Sequence, residues 1–138
     1  MVSLDLLKKI QFLQDLPDDI LEKISPLSRM ETYDPDTILV RQNQEQHLVY
    51  MLTAGRICLN TRSDAGTILT LDEITPGRSF GVSALLGNAA ATFTAVCTEP
   101  CEAITLYGEQ MQQLFASDYT AGYAVMGRVA RLFKDRMN

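Results

Sequence analysis

The sequence predicts an α+β, mainly β fold: an antiparallel jelly-roll barrel with helices before and after it. Between residues 30 and 106, short apolar-polar runs are separated by turn residues such as Asp34-Pro35 and Glu99-Pro100. Before and after that region, apolar residues recur at helical spacing. A chain of 138 residues is long enough for one domain with a sizeable core. We therefore expect a single domain, residues 1–138, with a helical lead-in at about 3–28, the barrel at about 30–107 and C-terminal helices at about 108–137.

The helical lead-in is predicted to hold two short helices. Ser3 can accept the N-cap hydrogen bond of the first. Pro17 suits the first turn of the second, where Asp18 and Asp19 face the positive end of the helix dipole. The predicted apolar stripes are Leu4, Leu7 and Ile10 in the first helix, and Ile20, Leu21, Ile24 and Leu27 in the second.

Several strands are predicted from Met30 onward, with a polar loop at 42–46 between the second and the third. The third strand, 47–53, is almost continuously apolar, which indicates a central strand with both faces covered. Each run is bounded by Gly, Pro, Asn or Asp, the residues that favour turns. The predicted strands are 30–33, 37–41, 47–53, 56–61, 67–74, one beginning at Ala89, and 101–106.

Residues 75–95 are predicted to form a concave shelf on the barrel. Pro76-Gly77 makes a turn, Gly81 permits close backbone approach, and 82–86 is long enough for about one helical turn. Gly87-Asn88 ends that turn, and a strand with period two begins at Ala89. The helix N-terminus would direct free N–H groups into the hollow.

The last helix is predicted to carry a wide apolar stripe. Ser117 or Asp118 can cap it, and Val125, Val129 and Leu132 extend the stripe beyond a single seam. We expect one half of the stripe to pack on the barrel and the other half to contact a partner helix. The seam at alternating steps of four and three is Tyr119, Tyr123, Met126, Ala130, Phe133 and Met137.

Composition favours a soluble protein that does not bind nucleic acid directly. Hydrophobic residues make up 46% and charged residues 21% of the chain, and the net charge is −5. A negative surface repels phosphate, and the chain has no room for an additional DNA-reading domain. No apolar run is long enough to span a membrane, and the N-terminus lacks the pattern of a signal peptide. We expect a cytoplasmic location.

Catalytic and metal sites are not expected. One histidine, His47, and no nucleophile motif argue against an enzyme, a bound metal or a cofactor. Cys97 and Cys101 flank a predicted turn and could approach each other. We interpret the three cysteines as reduced thiols, with small apolar packing favoured over a redox pair or a metal clip.

The shelf resembles the phosphate-binding cassette of the cyclic nucleotide-binding domain family. Phe80-Gly81, Ala84-Leu85-Leu86 and the strand at 91–95 match the family pattern. The run 48–57 is also similar to the strand-glycine-strand phrase of that family. The resemblance implies a regulatory barrel that binds a small ligand, with a C-terminal helix that acts as a lid and often leads into a dimer interface.

Two cassette positions depart from the family pattern. The resemblance places Val82 where the family has the glutamate that binds the ribose hydroxyl, and Ala89 where it has the arginine that pairs with the cyclic phosphate. Burying a phosphate without its charge partner costs about 3–5 kcal/mol. The hydroxyls of Ser79 and Ser83 and the helix N–H groups remain as donors, and Arg78 is a candidate replacement cation.

We therefore expect a stand-alone sensor domain that does not bind cyclic AMP or cyclic GMP in the family manner. It would respond to another small ligand or to a protein partner, with the C-terminal helix as output. The alternatives are a cyclic nucleotide site built from Arg78 and backbone amides, or a dimerisation module without ligand. The candidate ligand residues are Phe80, Gly81, Val82, Ser83, Ala84, Leu85, Ala89 and Ala90, and the candidate partner-helix residues are Tyr123, Met126, Ala130, Phe133 and Met137.

Overall fold

A computed structural model describes residues 1–87 and 89–137, with the side chains of Ala89, Arg136 and Met137 outside the description. Its centre is an antiparallel barrel, as the sequence predicts. The turn residues identified in the sequence lie at the ends of most strands. The strands are β1 (Arg29–Tyr33), β2 (Ile38–Val40), β3 (Glu45–Gln46), β4 (Leu48–Ala54), β5 (Ile57–Arg62), β6 (Ile68–Ile74), β7 (Ser79–Phe80), β8 (Ala89–Ala90), β9 (Thr94–Cys97) and β10 (Cys101–Tyr107).

Two four-stranded sheets and one two-stranded ladder make up the barrel. The first sheet has the order β1-β10-β4-β7 and the second β2-β9-β5-β6, while β3 pairs with β8. The pairing that positions the shelf joins β7 to β4, with Tyr50 opposite Phe80 and Met51 opposite Ser79. This arrangement confirms the predicted fold class.

The helices lie before and after the barrel. The hydroxyl of Ser3 accepts the N–H of Leu6, so the predicted N-cap is present. Pro17 precedes its helix as the N-cap residue instead of entering the first turn. Asp118 caps the last helix by accepting the N–H of Ala121 at 3.0 Å. The α-helices are α1 (Leu4–Leu7), α2 (Asp18–Ile24), α3 (Gly108–Ser117) and α4 (Tyr119–Met137).

The core has two parts, one on each face of the first sheet. The barrel interior holds Tyr50, Leu52 and Ala103. The opposite face of the same strands contributes Val49 and Met51, among others, to a second cluster with the helices. Both faces of β4 are therefore covered, which explains why its sequence is almost continuously apolar.

Hydrogen bonds and an ion pair join α4 and its cap to the lead-in. The guanidinium of Arg128 donates to the carbonyl oxygens of Phe12 at 3.1 Å and Gln11 at 2.9 Å. Lys23 of α2 pairs with Asp118, the cap of α4. The lead-in and α4 thus form one helical layer over the first sheet.

Two further predicted features differ in the structure. The single strand expected from Ala89 is interrupted, because only 89–90 and 94–97 pair with neighbours, and β9 pairs with β2 and β5 instead of β3. The polar loop expected at 42–46 contains β3, and its last residue, Gln46, is buried. The predicted end of the shelf helix at Asn88 lies outside the described residues.

Candidate functional site

The shelf is built from β7, a tight turn and a short helix. Gly81 has a φ of 80°, a left-handed conformation that favours glycine, and it leads into the 3-10 helix Val82–Leu86. A Cβ at this position would lie 2.4 Å from Nε2 of Gln46 and 2.6 Å from the carbonyl oxygen of Leu48. Glycine is therefore required here because of the left-handed φ and because no space remains for a side chain.

Gln46 is the shelf residue that the sequence did not reveal. Its side chain is only 4% exposed. The Oε1 atom lies 3.5 Å from the hydroxyl of Ser83, and Nε2 is buried without a hydrogen-bond partner in the part of the chain that the structure describes. The amide thus occupies the space beside Gly81. Its position in a polar run gave no signal of burial.

The barrel interior next to the shelf is filled by aromatic side chains. Phe80 is 1% exposed and stacks on Tyr50, with ring centroids 4.9 Å apart and planes at 8°. Phe93 meets Phe80 edge to face at 6.1 Å and 77°. These three rings pack with Val40, Leu59 and the alanines of β9 and β10 in the barrel core. A ligand in this interior would have to displace at least one ring.

The candidate ligand residues do not share one surface. Phe80 faces the barrel interior, whereas Val82, Ala84 and Leu85 pack in the cluster beneath the helices. Val82 is 3% exposed, so the position expected for a ribose-binding carboxylate points into the helical core. Ser83 is half-buried and Ala90 is exposed. Ala89 pairs with Gln46 through its backbone.

Arg78, the candidate replacement cation, already has a carboxylate partner. Its NH1 and NH2 atoms donate to the two carboxylate oxygens of Asp72 at 3.1 and 2.7 Å, and NH1 also donates to the carbonyl of Glu73 at 2.7 Å. The hydrogen bond to Asp72 raises the pKa of Arg78, despite partial desolvation. An anion at Arg78 would therefore have to compete with Asp72.

A cavity of about 470 Å³ lies on the α3 side of the shelf. Gln46, His47, Ala84, Tyr107, Glu109 and Gln112 line it. Gln112 donates to the carbonyl of Leu85 at 3.3 Å, which joins α3 to the shelf helix. His47 is exposed, and its Nε2 lies 3.4 Å from a carboxylate oxygen of Glu45.

The shelf helix and α3 meet without an intervening side chain. Gly108 begins α3 and is buried, and its N–H donates to the carbonyl of His47 at 2.9 Å. A Cβ on Gly108 would lie 2.1 Å from the carbonyl oxygen of Ala84. The two backbones are therefore in direct contact.

The outer side of α4 is apolar and uncovered. Ala121, Val125 and Val129 are buried against the helical layer. On the opposite side, Tyr123 is 87% and Phe133 40% exposed, with Ala130 exposed and Met126 half-buried between the two sides. Among the described side chains, one half of the predicted stripe is thus buried and the other half is exposed, while its contact with a partner helix stays a prediction; Met137 lies outside that set.

The thiols of Cys97 and Cys101 meet inside the end of the barrel. They are 0% and 4% exposed, and all three cysteines are free. Burial, reinforced by a hydrogen bond with Cys101, raises the pKa of Cys97 to about 12. Both residues belong to the barrel core, so packing is the role that their environment supports.

Neither a metal site nor a membrane span is found among the described residues. No group of three or more His, Cys, Asp or Glu side chains in residues 1–87 and 89–137 is arranged to hold a metal ion. None of the helices in the same ranges has the length and apolar character needed to cross a bilayer.

Comparison with known families agrees with this fold. The profile of the cyclic nucleotide-binding domain matches residues 30–118, well over half of the chain. The protein therefore belongs to the cyclic nucleotide-binding domain family, whose members are typically regulatory and not enzymatic. No curated protein sequence is significantly similar to this chain.

Several solved structures share the fold at low sequence identity. One is described as a candidate cyclic nucleotide-binding protein from Geobacter metallireducens, with 23% identity, full coverage of both chains and a TM-score of 0.84. The N-terminal domain of a transcriptional regulator from Streptomyces coelicolor is 18% identical, with 96% and 92% coverage and a TM-score of 0.82. The regulatory subunit of a cAMP-independent protein kinase A from Trypanosoma cruzi, bound to guanosine, is 18% identical. That match covers 80% of this chain and 39% of the kinase subunit, with a TM-score of 0.74.

Proposed function

We propose that this protein is a cytoplasmic regulatory domain that does not bind cyclic AMP or cyclic GMP in the manner of its family. The observation that carries the proposal is the filled shelf. Phe80, Tyr50 and Phe93 occupy the adjacent barrel interior, and the amide of Gln46 lies against Gly81. A cyclic phosphate entering here would have to displace these groups without gaining a free guanidinium, because Arg78 is held by Asp72.

The signal would come from a ligand that needs no charge partner, or from a protein. The kinase regulatory subunit of the same fold, described as cAMP-independent, is bound to guanosine, a nucleoside without phosphate. Such a ligand avoids the cost of burying an unpaired anion. Output would pass through α4, whose buried side is joined to the lead-in by Arg128. The net charge of −5 supports a role without direct nucleic-acid binding.

Isothermal titration calorimetry with cyclic AMP, cyclic GMP and guanosine tests this proposal. We expect no heat of binding from either cyclic nucleotide at micromolar concentrations. Micromolar binding of one of them would contradict the proposal. In that case the variant Arg78→Ala separates the alternatives, because a site built on Arg78 would lose the ligand and one built on backbone amides would keep it.

A second candidate function, dimerisation through α4, is favoured by the exposed apolar side of that helix. Tyr123 and Phe133 lie on the side away from the core, with Met126 and Ala130 between them in the seam. The double variant Met126→Asp, Phe133→Asp should convert a dimer to a monomer in light scattering. A wild-type protein that is monomeric over a wide concentration range would contradict this function.

A further inference from the structure

A broad groove of about 650 Å³ lies on the second sheet, away from the shelf and from α4. Along β5 and β9, Leu59 and Ala95 face the barrel core, while the alternate residues Asn60 and Thr94 line the groove. The groove therefore lies on the outer face of the sheet. It extends from Ile38 of β2 to Ile68 of β6, across all four strands. We call it the Arg41–Arg62 groove, after the two cations that line it.

The guanidinium groups of these two arginines differ from those of the other barrel arginines in having no partner among the described residues. Arg56 pairs with Glu73 at 2.9 Å, Arg78 pairs with Asp72, and Arg29 lies over the ring of Tyr107. Within the described residues, the guanidinium groups of Arg41 and Arg62 make neither an ion pair nor a ring contact, and both side chains are exposed. Two unpaired cations thus line one concave surface on a chain whose net charge is −5.

The groove is held in place by a glutamine that joins its two sides. The backbone N–H of Arg62 donates to Oε1 of Gln42 at 2.8 Å, and Nε2 of Gln42 donates to the carbonyl of Arg62 at 3.3 Å. The N–H of Gln42 donates to the hydroxyl of Thr94 at 3.0 Å. The backbone segments that carry Arg41 and Arg62 are therefore joined, so both side chains begin from positions along the same groove.

We propose that the Arg41–Arg62 groove binds an acidic segment of a partner protein, with carboxylates on the two arginines and apolar side chains on Ile38 and Ile68. The two isoleucines are 39% and 57% exposed, so the groove offers apolar area as well as charge. A small inorganic anion would use only the arginines. A long polyanion would meet the acidic remainder of the surface, whereas a short segment meets only the groove. Asp64 also lines the groove. Its carboxylate repels a dense polyanion more strongly than a segment whose carboxylates are spaced apart.

Fluorescence anisotropy with a short labelled peptide of alternating Glu and Leu tests the proposal. We expect saturable binding that weakens as salt is added, and much weaker binding of the same peptide with Gln in place of Glu. The double variant Arg41→Glu, Arg62→Glu should weaken binding of the acidic peptide by at least about tenfold. In the Arg131 variant (Arg131→Glu, Lys134→Glu), the same number of charges is reversed at exposed positions of α4, and the affinity should stay unchanged.

The variants keep the fold because the link to Gln42 uses the backbone of Arg62, and a thermal melt checks this. Should the double variant unfold, Arg41→Gln and Arg62→Gln remove the charges without adding repulsion and give the same comparison. Gln42→Ala keeps both cations but loosens their positions, and it too should weaken peptide binding.

Three outcomes overturn the proposal. The first is equal loss of affinity in the Arg131 variant and the groove variants. The second is tighter binding of a single-stranded DNA oligonucleotide than of the peptide at the same salt. The third is self-association in sedimentation that disappears in the groove variants, which assigns the groove to a second copy of this chain.

Discussion

Phe80→Ala is the change that tests most directly whether the barrel interior is closed. The ring is 1% exposed, stacked on Tyr50 at 4.9 Å and in edge contact with Phe93 at 6.1 Å. Removing a buried phenylalanine costs about 3–5 kcal/mol through lost transfer energy and the cavity that remains. Loss of two aromatic contacts places the expected decrease in the free energy of unfolding in the upper part of that range, about 4–5 kcal/mol.

Urea denaturation followed by circular dichroism measures this decrease. Tyr119→Ala is the matched control, since Tyr119 is 82% exposed and its loss should change stability by no more than about 0.5 kcal/mol. A small apolar molecule such as benzene should partly restore the stability of Phe80→Ala by occupying the cavity. A decrease below about 1.5 kcal/mol for Phe80→Ala would refute the closed interior, because a ring in an open pocket has little burial to lose.

Three further predictions follow from the helices and the thiols. Lys23 pairs with Asp118 and lowers the pKa of that carboxylate. The pair therefore stabilises the fold at pH values above the pKa that Asp118 has in the unfolded chain, and this stabilisation is lost as the pH falls through the lowered pKa of the folded protein. Asp118→Asn keeps the helix cap but should flatten the acid side of a melting-temperature profile; an unchanged profile would contradict the pairing. Gly108→Ala should lower stability by about 1–3 kcal/mol in thermal unfolding because its Cβ meets the Ala84 carbonyl. Gly127→Ala, a helical position with open space around it, should instead raise stability by up to about 1 kcal/mol, and equal effects of the two would be inconsistent with the backbone contact. Finally, half-buried Cys58 should react with a thiol reagent in the native protein, whereas Cys97, with its pKa raised to about 12, should react only in denaturant; rapid native reaction of all three thiols would argue against their burial.

The periodic elements could be read from the sequence because they depend on local patterns. Ser3 caps its helix as predicted, Asp118 is the one of the two predicted candidates that caps the last helix, and the continuous apolar run of β4 reflects cover on both faces. The short helix after Gly81 is also present. In each case, side-chain chemistry and spacing within a few residues determine the local structure.

The contents of the shelf could not be read in the same way. Gln46 lies in a polar run, and its side chain is buried against Gly81 and Ser83, which are distant in the sequence. Likewise, the orientation of Val82 toward the helices depends on how α3 packs on the shelf helix. Arg78 looked available although Asp72 lies only six residues before it, because the sequence does not show that the intervening turn brings the two side chains together. Such three-dimensional contacts decide what the shelf can accept, and local periodicity does not report them.

The contact between Gly108 and Ala84 has a mechanical consequence. Side chains between two helices normally absorb small displacements by changing rotamer, but here one backbone rests on the other. We therefore expect a displacement of the short helix Val82–Leu86 toward α3 to move the first turn of α3 with it. If a ligand or a partner displaces the aromatic rings or Gln46, this backbone contact would transmit the displacement to α3 and, through it, to α4.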